Sequence, residues 1–355
     1  MKSMLYRKAR DSLAAAALIA AAFGLTANSA AVSESLRTAV IRCINVMIPS
    51  LFAFIALTDL LVRSGGYIYL SYIFAPISRL LGLPRGCGGV FVMSNIGGYP
   101  IGASMISSMY DRGGLDKRSA SRLVCVCYNG GPAFFSGALG LAVYGSAKTG
   151  LVVYLSVVIS NCLLCAVITR LFPIKSERPA NRVGFASEML PESVCAAGKS
   201  LFMICGMILI FAAITPFAEG FLPEGNTGCL LSSLLEISNL SSLCGTPYRL
   251  LPYAAAAGAF GGLCVMVQVH ALVGGRFSLI PFTAVRAFSA LLSWAICRLL
   301  CPLMLPEAVT VSVKPEFIVN FHNFTPSLCL IMMIFLTFFH KRLAFSDKVW
   351  YNIKG

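Results

Sequence analysis

Apolar residues in this chain neither alternate nor recur on one helical face; they come in runs. Runs at about 43–62, 118–143, 150–170, 199–218, 250–273, 281–301 and 326–340 approach or reach the length of a membrane crossing. A hydrocarbon core about 30 Å thick needs roughly 20 helical residues. A further run from Leu13 to Leu25 follows Lys2, Arg7, Lys8 and Arg10, and reads either as a first anchor or as a signal peptide with small residues around Ala27 to Ala31. Counted as an anchor, it makes about eight transmembrane helices. Two other pieces, 86–110 and 228–244, are apolar but interrupted by Gly, Asn, Ser or Pro, which predicts re-entrant hairpins. Residues 67–82 carry Pro76 and Arg79 and predict an interfacial helix.

Composition turns this pattern into a class. Of 355 residues, 57% are hydrophobic and only 12% charged, and the mean hydropathy is +0.81, so the expectation is an all-α polytopic membrane protein in contact with a lipid bilayer. The net charge of +14 does not argue for nucleic acid, because the bases are scattered between apolar runs rather than gathered on a polar module. They set topology instead. The groups before the first run, at Arg170, Lys175, Arg178 and Arg182, and at Lys341, Arg342, Lys348 and Lys354 belong in the cytoplasm. That places both termini inside and the loop holding Glu219 and Glu224 outside.

The threading then yields a repeat. A spanning run, a dip, a second run and a third occur in residues 34–172, and the same order in opposite orientation in 191–301. This is an inverted-topology repeat, the arrangement in which discontinuous helices meet near the midplane of secondary transporters. Residues 1–33 are the N-terminal anchor, 173–190 a basic cytoplasmic linker, and 302–355 an outer loop, a last span and a basic tail. Short echoes support the repeat: "SESLRTAV" against "PESVCAAG", and "MSNIGG" against "ISNLSS".

Chemistry concentrates at four polar interruptions: Asn95 to Gly102, Asn129-Gly-Gly-Pro132, Glu236-Ile-Ser-Asn239, and Gly261-Gly262 followed by Gln268 and His270. Non-helical backbone inside a bilayer is tolerated only where protein buries it or it lines a wet cavity. Close helix packing explains Gly137 and Gly140, but cavity lining better explains the break at Pro132, which lacks an amide donor. Half-helices starting after such breaks present N–H groups suited to an anion. The expected substrate-binding residues are Asn95, Gly97, Gly98, Tyr99, Asn129, Gly130, Gly131, Glu236, Ser238, Asn239 and Gln268, around a small anionic molecule, aromatic if Tyr99 stacks on it. Ser94 and Ser104 add smaller polar contacts. Glu236 is either a proton- or ion-coupling group or a member of a structural pair, and His270 is either a proton carrier or a residue near the cytoplasmic surface. The fourteen cysteines read as reduced apolar fillers, and no cofactor, metal cluster or catalytic pair is implied.

These segments resemble the YlbJ (SpoVV) family of sporulation integral membrane proteins, which carry two nucleoside-recognition Gate domains. The matching stretches are "INVMIPSLFAFIALTDLLVRSG", "MSNIGGYPIGASMISSMYDRGGLDKRSASRLVCVCYNGGPAFFSGALG", "LLEISNLS" and "GAFGGLCVMVQVHAL", within about residues 34–301. The resemblance implies a mother-cell membrane protein of endospore formers, associated with moving dipicolinic acid towards the forespore. It also implies likeness to the core of concentrative nucleoside transporters, which keeps a nucleoside or nucleobase as a rival cargo. A non-transport scaffold for spore maturation, with other sporulation membrane proteins or a second copy as partners, is the remaining alternative. The alanine-rich first run and the abundance of cysteine depart from the family pattern.

Overall fold

The computed structural model describes residues 22–84, 86–176, 186–243 and 248–305, together with 12, 15, 16, 19 and 184. The expected span at 326–340 and most of the N-terminal anchor therefore lie outside the described residues. Among the described residues every element longer than an isolated bridge is helical.

Helix α1 (Ser29–Arg42) passes through a π-helical stretch, Cys43–Met47, directly into α2 (Ile48–Arg63). The expected span at 43–62 is thus the second half of a longer helix. Its first half is hidden in the sequence because Ser33, Glu34, Ser35, Arg37 and Thr38 depress its hydropathy, although Val32 and Ala39 are buried. Gly65, at φ 75°, turns the chain, and α3 (Tyr67–Ile73) leaves α2 at 94°. Helix α4 (Ala75–Leu81) follows. Tyr69, Tyr72, Ile73 and Leu80 are exposed on this pair, the apolar and aromatic surface expected of an interfacial segment.

Helices α5 (Cys87–Gly97) and α6 (Tyr99–Asp111) fold back on each other at Gly98. With φ 104° and ψ 169°, that residue occupies backbone space that is essentially glycine's alone. A Cβ on Gly102 would fall 2.9 Å from the Ser94 Cβ and 1.9 Å from the Cys127 carbonyl oxygen, so both the hairpin and its neighbour close onto bare backbone. Pro100 sits in the first turn of α6, where its missing N–H costs nothing.

Helix α7 (Lys117–Val124) starts under Asp116, whose side chain accepts from Ser119 N at 3.0 Å, a standard N-cap. Its helical path ends after Val124. Residues 128–131 are not helical, and helix resumes at Pro132, continuing as a π-helical stretch, Ala133–Leu141, and α8 (Ala142–Tyr144). The expected uninterrupted span at 118–143 is therefore two half-helices: apolar content runs on, but Gly130, Gly131 and Pro132 break the helix. Gly140 does make the expected close contact, its Cβ position lying 2.8 Å from Gly150 N, whereas Gly137 has nothing within 4 Å and packs against no helix.

Helix α9 (Ala147–Leu171), α10 (Met189–Glu219) and α14 (Ile280–Met304) are continuous. Between the last two lie α11 (Asn226–Ser232), a 3₁₀ turn at Ile237–Ser242, α12 (Leu251–Phe260) and α13 (Gly262–Val273). Gly261 and Gly262, at φ 85° and 76°, divide α12 from α13. Among the described residues four helices have the length and apolarity of a crossing, α12 and α13 counting as one, and the bent α2–α3 pair makes up to five. Of the expected eight, the span at 326–340 and most of the N-terminal anchor lie outside the described residues. The order long helix, hairpin or turn, broken helix, long helix runs twice. In the packing, α10 lies along α1 and α2, and α14 along α9 and α12.

Candidate binding site

The two broken helices meet end to side. In α12 the last carbonyls have no partner of their own helix beyond Ala257, which accepts from Gly261 N at 2.8 Å. Each of the next three is met by a side chain from elsewhere. Tyr99 Oη donates to Gly258 O at 2.8 Å, Arg286 Nη1 to Ala259 O at 3.4 Å, and Tyr128 Oη to Phe260 O at 3.3 Å. The start of α13 is closed too, since Leu263 N and Cys264 N donate to Leu234 O and Leu235 O at 2.7 and 2.9 Å. The N–H groups expected to await an anion at this break are thus engaged by the chain itself.

Arg286 serves the other break as well. Fully buried on α14, it donates to Tyr128 O at 3.3 Å and to Cys125 O, while its guanidinium lies 4.9 Å from the Tyr128 ring centroid. Asn161 of α9 joins the cluster: its Nδ2 donates to Tyr128 O at 2.8 Å and to Asn95 Oδ1 at 3.1 Å, and its Oδ1 accepts from Arg286 at 3.4 Å. Asn95 closes the set by donating to Phe91 O at 2.8 Å. No carboxylate lies within ion-pair distance of Arg286 among the described residues; its charge is spread over carbonyl dipoles and two aromatic faces.

Beside this network stands Asn129, completely buried, with neither Oδ1 nor Nδ2 hydrogen-bonded. The glycines after it are packing residues. A Cβ on Gly130 would lie 2.8 Å from Tyr99 Oη, and one on Gly131 2.9 Å from Ile96 O and 3.5 Å from Gly98 N. The structure therefore brings together Asn95, Gly98, Tyr99, Asn129, Gly130 and Gly131. Gly97 sits at the same tip but faces Phe54, whose ring a Cβ would approach to 2.4 Å.

Glu236, Ser238 and Asn239 belong to a second place. A cavity of about 370 Å³ opens between α1 and α10 and is lined by Ser35, Thr38, Arg42, Thr215, Glu236 and Asn239, with Glu34 and Glu219 on its wall. Arg42 Nη1 lies 3.4 Å from Glu236 Oε2 and donates to Ser238 Oγ. Ser238 N donates to Glu236 Oε2 at 3.1 Å, so Glu236 also caps its own 3₁₀ turn. Asn239 Nδ2 donates to Ser232 O at 3.3 Å. A neighbouring cavity of about 250 Å³ shares Glu219, Asn239 and Ser242 and adds Glu224. Asn95 and Asn129 do not line either.

Gln268 is buried and donates to Cys264 Sγ at 3.3 Å, while His270, two residues on, is exposed near the end of α13. Elsewhere, Arg63 of α2 bridges Asp59 and Glu192, Ser108 of α6 donates to Asp59 at 3.2 Å, and Arg276 pairs with Asp111 at 2.9 Å. These contacts tie the end of the first hairpin to α2, α10 and the loop after α13. Sequence reasoning misses Arg42, Asn161 and Arg286. The signal for Arg286 is present, a charge inside an apolar run, the criterion that picks out Glu236; Arg42 lies one residue outside the run assigned to its helix.

Long apolar helices surrounding an interior of interrupted ones, with polar side chains filling the interruptions, define an integral membrane protein built on broken helices. The chain is similar to the sporulation integral membrane protein YlbJ of Bacillus subtilis (strain 168), with 23% identity over 286 residues covering 68% of this chain and 70% of that protein. This similarity shows the family likeness that the GGYPIGA and NGGP blocks suggest, and supports a membrane role in sporulation. No family model matches the chain, and no solved structure matches it.

Proposed function

We propose that this protein is a sporulation transporter or facilitator for a small organic anion, dipicolinic acid being the cargo that the YlbJ resemblance suggests. In this reading residues 34–172 and 191–301 are inverted repeats, the α5–α6 hairpin and the turn around Glu236 enter from opposite sides, and both termini are cytoplasmic in the mother-cell-derived membrane. The observation that carries it is the polar cavity between α1 and α10, which reaches a half-buried arginine, Arg42, on the floor next to an interrupted helix. A packed scaffold needs neither the cavity nor the charge. Its volume suits a single-ring ligand, as small-molecule sites start near roughly 300 Å³. Asn129, Tyr99 and Arg286 would form the inner face that the cargo meets next.

The test is uptake of labelled dipicolinate by proteoliposomes holding the full chain, with uridine as the rival cargo. Saturable dipicolinate uptake, lowered at least about tenfold by Asn129→Ala, is expected, because one lost hydrogen bond to a charged ligand is worth roughly 1.5–3 kcal/mol. Saturable uridine uptake alone would replace the cargo. Uptake of neither, by a folded protein, would leave the scaffold.

A further inference from the structure

The floor of the cavity contains more than a structural ion pair, and the role assigned to it rests on the transport reading. Arg42 reaches Glu236 and Ser238 through Nη1 alone, at 3.4 Å from the carboxylate. An arginine committed to a structural pair presents its planar fork to both carboxylate oxygens. Here one edge of the fork is used, and the Arg42 side chain retains 27% of its exposure against 7% for Glu236. The arginine faces the cavity and the glutamate lies behind it. Ser238 holds Glu236 from the other side through its amide at 3.1 Å and through its hydroxyl, so the carboxylate stays in place if Arg42 turns away.

Arg42 is also placed to turn. It is the last residue before the π-helical stretch Cys43–Met47, a local widening of the helix that recurs at functional sites because it loosens the backbone register. The groups facing Glu236 are few: Arg42 and Cys43 from the first helix, Cys264 from α13 and Tyr99 from α6. Glu34 and Glu219 stand on the cavity wall. Among the described residues Arg42 is the one base lining the cavity, and Glu236 the one carboxylate in contact with it.

We propose that Arg42 anchors a carboxylate of the cargo and that Glu236 is the competitor it must leave, so that each carboxylate bound is accompanied by one proton. With Glu236 ionised, Arg42 is engaged and an entering anion meets three carboxylates. When Glu236 takes a proton from the aqueous cavity, its acid group keeps the hydrogen bonds of Ser238, and the guanidinium is released to the cargo. The charge of the floor is zero before and after: arginine with glutamate, then arginine with substrate carboxylate beside neutral glutamic acid. No bond other than the O–H on Glu236 is made. The sign is fixed by this exchange, since affinity for the acid rises as the pH on the cavity side falls.

The experiment uses the full chain in proteoliposomes with dipicolinate as probe and an entrapped pH dye. Wild type should show a KM that falls towards about tenfold per pH unit over the range in which Glu236 titrates, and uptake should acidify the lumen. Glu236→Gln should flatten the pH dependence of KM and abolish the acidification. Arg42→Gln should raise KM at least about tenfold, the loss of one charge-assisted pair, while Arg42→Lys recovers part of it. Thermal midpoints of the variants separate these effects from misfolding, and the slope of KM with pH would not respond to a merely structural pair. Dipicolinate uptake that keeps its KM in Arg42→Gln, or its pH slope in Glu236→Gln, overturns the inference and leaves transport standing. Wild type that carries uridine but no dipicolinate overturns the inference together with its cargo, and wild type that carries neither overturns the transport reading itself.

Discussion

Arg286 and Arg42 are both arginines in helices that run through apolar surroundings, and they are handled in opposite ways. Arg286 is enclosed: its two terminal nitrogens make five hydrogen bonds to carbonyls and an asparagine, with two aromatic faces, an unpartnered Nε and no carboxylate among the described residues. Arg42 is half open, held through Nη1 by one long contact to a carboxylate and by Ser238 Oγ, and lines a cavity. A buried charge satisfied by fixed backbone dipoles has no second arrangement to adopt. A charge shared between a carboxylate and an aqueous cavity has one. The first therefore reads as the keystone of the fold and the second as the moving part.

The sharpest way to break this contrast is Arg286→Met. Methionine fills similar volume without the charge, and replacing a buried charge by an apolar group is often harmless when its partners leave with it. Here the partners stay. Cys125 and Ala259 would each lose the donor to their carbonyls, costing about 1–3 kcal/mol apiece, while Tyr128 O keeps Asn161. The expected outcome is a thermal midpoint in detergent lowered by more than about 10 °C, or no folded protein. A midpoint within a few degrees of wild type would show that the breaks do not depend on Arg286.

A smaller effect tests whether the α5–α6 hairpin and the break after α7 meet through bare backbone. Gly102→Ala would press a methyl to 1.9 Å from the Cys127 carbonyl oxygen, whereas Gly137→Ala meets nothing within 4 Å. The first should destabilise by about 1–3 kcal/mol through forced backbone movement. The second should be neutral or stabilise by up to about 1 kcal/mol, as alanine is the better helix former. Equal midpoints for the two variants would contradict the close approach of α6 to the break after α7.

How much of this was legible in the chain differs by type of feature. Membrane class followed from hydropathy alone, and glycine with proline marked the breaks at Gly98, Pro132 and Gly261 because those residues state a backbone requirement directly. Continuity was harder to see. Polar Ser33 to Thr38 concealed α1 because its residues are in part satisfied by neighbouring helices, as when Ser35 Oγ donates to Ala212 O at 2.7 Å. Apolar Cys125 to Tyr128 concealed the break after α7 for the converse reason: burial there is complete whether or not the backbone is helical. Pairing was not legible at all. That Asn161 would join Asn95 to Arg286, or Arg42 reach Glu236 across 194 residues, depends on where helices cross, which a single sequence does not encode locally.

The same contrast between a held group and a waiting one divides two asparagines that look alike in the sequence. Asn95 has its amide and its carbonyl oxygen engaged, by Phe91 O and Asn161 Nδ2, so it is part of the keystone. Asn129 has neither engaged although it is completely buried, and an unmet polar group in such a place costs about 1–3 kcal/mol. Asn129→Leu, close in volume and without the unmet groups, should then raise the thermal midpoint by a few degrees while reducing dipicolinate uptake at least about tenfold. The paired change Asn95→Leu should lower the midpoint instead, since it removes the hydrogen bonds to Phe91 O and from Asn161 Nδ2. If Asn129→Leu lowers stability as Asn95→Leu does, the amide has a structural partner, and the distinction between the two asparagines fails.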